Sequence, residues 1–107
     1  MINITFNPDK WEVKVEGHAN HGEKGEDIVC AAISTLFYTL CESIYESKEM
    51  LEGEPSFSEE DGNGYISCKP KEEFEGNMAR TYMTIIGGFR LIAENYKKNV
   101  KFSVVVG

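Results

Sequence analysis

Cysteine is scarce in this sequence of 107 residues: only Cys30, Cys41 and Cys68 occur, an odd number at wide spacing and without a C-x-x-C pair. That pattern excludes a disulfide framework and a structural zinc ribbon. In a reducing compartment all three are free thiols. Positive charge is short as well, with 11 lysines and arginines against 18 aspartates and glutamates and a formal charge of −7. Neutralising phosphates takes clustered lysine and arginine, so no direct nucleic-acid partner is expected, and an anionic membrane surface is equally unsuited. A basic protein or peptide is the natural partner, because opposite charge speeds encounter. No apolar run approaches the ~18 residues of a membrane span. The N-terminal MINITFNPDK lacks the basic and apolar regions of a signal peptide. The expectation is a cytoplasmic chain forming one domain over residues 1–107.

What the sequence does have is material for a core, with 41% hydrophobic residues arranged periodically. Ile2, Ile4 and Phe6 alternate with polar neighbours, as do Trp11, Val13 and Val15, and the intervening Asn7-Pro8-Asp9-Lys10 favours a turn. This predicts an antiparallel hairpin with one buried face. Residues 17–26 (GHANHGEKGE) carry three glycines and no period, so they read as a loop. From Asp27, a good N-cap residue, to near Gly53, the spacing of Val29, Ile33, Leu36, Phe37, Leu40 and Ile44 predicts an amphipathic helix. The acidic, breaker-rich residues 52–64 read as a surface connection, and Tyr65 to Lys69 as a short strand. A second helix is expected from about Glu73 to Lys98, with Met78, Tyr82, Ile85, Ile86, Phe89, Ile92 and Tyr96 along one stripe. Gly87-Gly88 interrupts it and offers close approach to another backbone. VKFSVVV, residues 100–106, closes the chain as a buried strand. The order β-β-α-β-α-β describes an α+β domain: a small mixed, largely antiparallel sheet with two long helices on one face.

Both histidines and the first cysteine fall within thirteen residues: His18, His21 and Cys30. With Asp27 as cap, Cys30 occupies the third helical position, near free backbone N–H groups and the positive end of the helix dipole. A thiolate is favoured in such a setting. A histidine across the loop is placed to take the thiol proton, and the N–H groups to hold an oxyanion. Two other readings stand beside this one. Cys30 is a small buried hydrophobe and the histidines are solvated, or His18, His21 and Cys30 are three zinc ligands with a place left for water.

Gly17-His18-Ala19, followed by Asp27-Ile28-Val29-Cys30-Ala31-Ala32-Ile33-Ser34, resembles the signature of the ribosomal-processing cysteine proteases called Prp. His18 stands twelve residues before Cys30, an interval that the family shares. The specific match covers about residues 17–34. The resemblance implies a cytoplasmic, homodimeric cysteine endopeptidase without a cofactor. Its substrate would be the N-terminal segment of a large-subunit ribosomal protein, from which a short extension is removed. By motif position Cys30 is the implied nucleophile and His18 the proton donor and acceptor, with Gly17, Asp27 and Ser34 in supporting roles. A non-catalytic ribosome-assembly factor is the alternative from another class.

The remaining residues divide by position. Asp27 either caps the helix or orients the imidazole, in the manner of a triad's third member. Ser34, one turn after Cys30, either bonds near the thiol or back-bonds to the helix. His21, Gly22 and Gly25 belong to a loop that closes over a peptide. Cys41 and Cys68 are expected in the core.

Overall fold

The computed structural model describes the backbone of residues 1–17 and 24–107, and the side chains of residues 1–17 and 28–107. Alternating apolar residues at the start of the chain form strands β1 (Ile2–Asn7) and β2 (Glu12–Glu16), paired antiparallel with Ile4 opposite Val15 and Phe6 opposite Val13. Asn7 closes the turn between them: its Oδ1 accepts hydrogen bonds from the N–H groups of Asp9 (3.0 Å) and Lys10 (3.3 Å), the local bonding for which asparagine is favoured in turns. Ile2, Ile4, Phe6, Val13 and Val15 are buried on one face of this hairpin.

Two helices cover that face, α1 (Lys24–Glu46) and α2 (Glu75–Asn95). The stripe of α1 buries Val29, Ile33, Phe37, Leu40 and Ile44, and that of α2 buries Met78, Tyr82, Ile85, Ile86 and Phe89. Tyr96, expected on the second stripe, lies just past the helix end and is exposed. The two glycines within α2 behave differently. A Cβ at Gly88 would lie 2.8 Å from Leu36 Cδ1, so glycine is what lets this α1 side chain seat. Gly87 meets open space. The close approach expected of the pair is thus made by a side chain, at one glycine.

The helix bounds correct the reading of Asp27. α1 begins at Lys24, so Gly25 belongs to the helix rather than the loop, and Asp27 sits inside the first turn rather than at the cap. Lysine and glutamate are good helix formers, and an acidic residue in the first turn complements the dipole without capping. The helix ends at Glu46, short of Gly53, and a 3₁₀ turn follows at Lys48–Met50. By length and composition Ile28–Glu46 is apolar enough to cross a membrane, contrary to the expectation that no stretch approaches a span. Its serines and threonines interrupt the apolar run, and its apolar stripe is spent on the sheet.

A second correction falls on residues 52–64. They contain strand β3 (Ser56–Glu60), which pairs antiparallel with β4 (Asn63–Ser67). Asp61 (φ +51°) and Gly62 (φ +81°) form the two-residue turn, the positive φ pair that suits a tight hairpin. All five β3 residues are exposed, which leaves no hydrophobic alternation to read. Strand β5 (Val100–Val104) pairs parallel with β1, and the sheet order is β3-β4-β2-β1-β5. The sheet is therefore mixed and largely antiparallel, as expected, but β5 is an edge strand: Val100 is buried, while Val104, Val105 and Val106 are exposed.

Candidate active site

Strand β2 ends at Glu16 and the backbone turns at Gly17, whose φ of +111° is a conformation that side chains disfavour. A Cβ at Gly17 would also press into the carbonyl oxygen of Met1. The Gly17 N–H donates to Asn63 Oδ1 at 3.0 Å, a contact 46 residues away in sequence. The β2–β4 ladder has ended two residues earlier, at Val15 opposite Gly64, so the Asn63 side chain takes up an N–H beyond its reach. His18 is the next residue. His18, His21 and Gly22 lie outside the described residues, and the zinc set built on both histidines lies outside them too. Among the described residues no group of three potential ligands is placed to hold a metal.

Cys30 is the seventh residue of α1, not the third. In an α-helix a residue at that depth has its N–H committed to the carbonyl four positions back. The free donors and the dipole field are confined to the first turn. The helix-start oxyanion donors expected beside the thiol therefore lie a turn away from it. Cys30 itself is half-buried against the core.

Ser34 is exposed one turn further along α1 and borders a recess of about 110 Å³, lined also by Val15, Phe37, Tyr38, Glu59 and Gly64. Here the end of β2 and the β3–β4 hairpin meet the helix. Gly64 is required by the packing, since a Cβ there would lie 2.8 Å from the Phe37 ring. Phe37 is also stacked on Phe57 of β3, at 6.3 Å between ring centroids. A strand invisible to hydrophobic patterning thus supplies one wall of the recess; the Asp61-Gly62 dipeptide was the available signal for it.

The other two thiols are placed differently. Cys41 is buried, and burial pushes its pKa up to about 11. Cys68 is buried with its Sγ 3.3 Å from the Tyr82 hydroxyl, and burial raises its pKa more than that hydrogen bond lowers it. The Tyr82 hydroxyl donates to the Trp11 carbonyl at 2.7 Å, and burial raises its pKa as well. Neither buried thiol is suited to nucleophilic attack at neutral pH.

Comparison with known proteins gives a consistent picture. Residues 1–101 match the family profile described as "Cysteine protease Prp". The ribosomal processing cysteine protease Prp of Staphylococcus aureus is 25% identical over 104 residues, covering 95% of each chain. A crystal structure of the S. aureus ribosomal processing protease Prp, with a covalently linked product peptide, superposes with a TM-score of 0.72 at 26% identity, covering 97% of both chains. A Streptococcus mutans protein shares the fold, with a TM-score of 0.71 at 24% identity, covering 99% of this chain and 93% of its own.

Proposed function

The chain belongs to the Prp family of cysteine proteases, and from that premise we propose that it removes a short N-terminal extension from a large-subunit ribosomal protein. The observation that carries this reading is Cys30: it occupies the signature position and is the one thiol of three that is not buried. The formal charge of −7 suits a basic protein substrate. The name of the S. aureus relative supports processing of ribosomal material.

In the proposed course His18 takes the proton from Cys30 Sγ, and the thiolate attacks the scissile carbonyl carbon. As the tetrahedral intermediate collapses, the C–N bond breaks and the imidazolium gives its proton to the leaving amine. His18 then removes a proton from water, which attacks the thioester and releases the new carboxylate and Cys30. Gly17 sets the direction in which the chain leaves β2 towards His18. Asp27 supports the turn of α1 ahead of Cys30, and Ser34 borders the recess one turn beyond it. His21 and Gly22 contact the peptide. The enzyme acts in the cytoplasm as a homodimer and uses no cofactor.

The test is cleavage of the extended ribosomal protein by wild type and by Cys30→Ala, followed by N-terminal sequencing of the product. Wild type is expected to expose one new N-terminus and Cys30→Ala none. Equal cleavage by the two overturns the mechanism. Tight binding of the extension by the wild type without turnover supports the assembly-factor reading instead.

A further inference from the structure

We infer that Asn63 is a positioning residue for His18, an inference that rests on the Cys30–His18 reading above. The argument starts from the end of β2. On the β1 side the ladder holds β2 to its last residue, Glu16 opposite Asn3, but on the other side the β2–β4 register stops at Val15 opposite Gly64. Beyond it the chain reaches Gly17, one peptide bond before His18. Two features constrain Gly17. On one side the Met1 carbonyl oxygen leaves no room for a Cβ. On the other the Gly17 N–H donates to Asn63 Oδ1 at 3.0 Å. The φ of +111° between these features turns the backbone away from the direction of β2.

Asn63 is well built for such a task. It is the first residue of β4, directly after the tight Asp61-Gly62 turn, so its backbone is held by the pairing of Asn63 with Glu60. A short amide side chain on a paired backbone has few positions from which to accept this exposed N–H. Catalytic geometry is steep, and a shift of about 1 Å in a reacting group costs on the order of 100-fold in rate. The Asn63–Gly17 bond therefore constrains the residue that directly precedes the proton-transferring histidine, without touching substrate.

The experiment compares wild type, Asn63→Ala, Asn63→Asp, His18→Ala and Cys30→Ala on a peptide spanning the cleavage site, with thermal melting of each. Asn63→Ala is expected to lower kcat by roughly 10- to 100-fold, to change KM less than about threefold, and to melt within a few degrees of wild type. Asn63→Asp retains the acceptor oxygen and is expected to restore most of kcat. The pH dependence of Cys30 alkylation is expected to change in Asn63→Ala in the same direction as in His18→Ala, but by less. A wild-type kcat in Asn63→Ala, with His18→Ala inactive, overturns the inference alone. So does an equal loss in Asn63→Ala and Asn63→Asp, or a loss that matches the fraction unfolded. Full activity in His18→Ala overturns the dyad reading itself.

Discussion

Cys30 and Cys41 lie eleven residues apart on α1, about three turns, and so point to the same side of one helix. Cys30, near the helix start, is half-buried, one turn before the Ser34 that borders a surface recess. Cys41, near the helix end, is buried, and the loss of water raises its pKa to about 11. The residue type, the helix and the face are the same. What differs is the cover, and the cover decides whether sulfur is open to reaction or spent on packing.

The largest effect expected from this contrast is on turnover. Cys30→Ala should lower cleavage at least ~1000-fold, with a melting temperature within a few degrees of wild type. Cys41→Ala should do the reverse, keeping cleavage while costing about 1–2 kcal/mol of stability through the space it leaves in the core. Loss of cleavage in a fully folded Cys41→Ala breaks the comparison.

Gly17→Ala is expected next. It places a side chain at φ +111° against the Met1 carbonyl, so it should cost about 1–3 kcal/mol. Unlike a core substitution of similar cost, it should also depress cleavage per folded molecule, because Gly17 directly precedes His18. Denaturant titration and a cleavage assay on the same sample separate the two losses.

Tyr82→Phe probes the buried end alone. It removes the hydroxyl that donates to the Trp11 carbonyl and faces Cys68, and should cost about 1–2 kcal/mol while cleavage by the folded protein is unchanged.

The smallest effect is the pH dependence of the buried thiol. The folded Cys41 pKa is about 11, above its ordinary value of 9.0. The folded state therefore holds the proton more tightly than the unfolded state. Its contribution to stability is complete below about pH 9 and is lost as pH rises towards about 11. Chemical denaturation between pH 8 and 11 should show stability falling over that window, and Cys41→Val should flatten part of the slope. Cys68, also raised, acts in the same direction. An unchanged slope in Cys41→Val contradicts the burial argument.

The two ends of the molecule were also unequally legible in the sequence. The hairpin of β1 and β2 and the buried stripes of both helices follow from apolar spacing, because burial on one face leaves a period of two or of three to four. Strand β3 left no such mark, since its SFSEE carries one apolar residue and lies at the sheet edge. The sequence does not separate an α1 start at Asp27 from one at Lys24, because a cap residue and a first-turn acidic residue satisfy the same dipole. Cys30 stands out in the sequence through its motif, but its depth in the helix does not. Asn63 had no signal at all: a hydrogen bond across 46 residues depends on the β2–β4 register, which no local pattern encodes.

The most direct measurement is active-site labelling. The folded protein is treated with a peptide chloromethyl ketone built on the substrate's extension, then mapped by mass spectrometry alongside residual cleavage. One adduct on Cys30 is expected, with Cys41 and Cys68 unmodified and activity lost in proportion to labelling. Cleavage that persists when Cys30 is fully modified, or an inactivating adduct on Cys41 or Cys68, contradicts the assignment of the nucleophile.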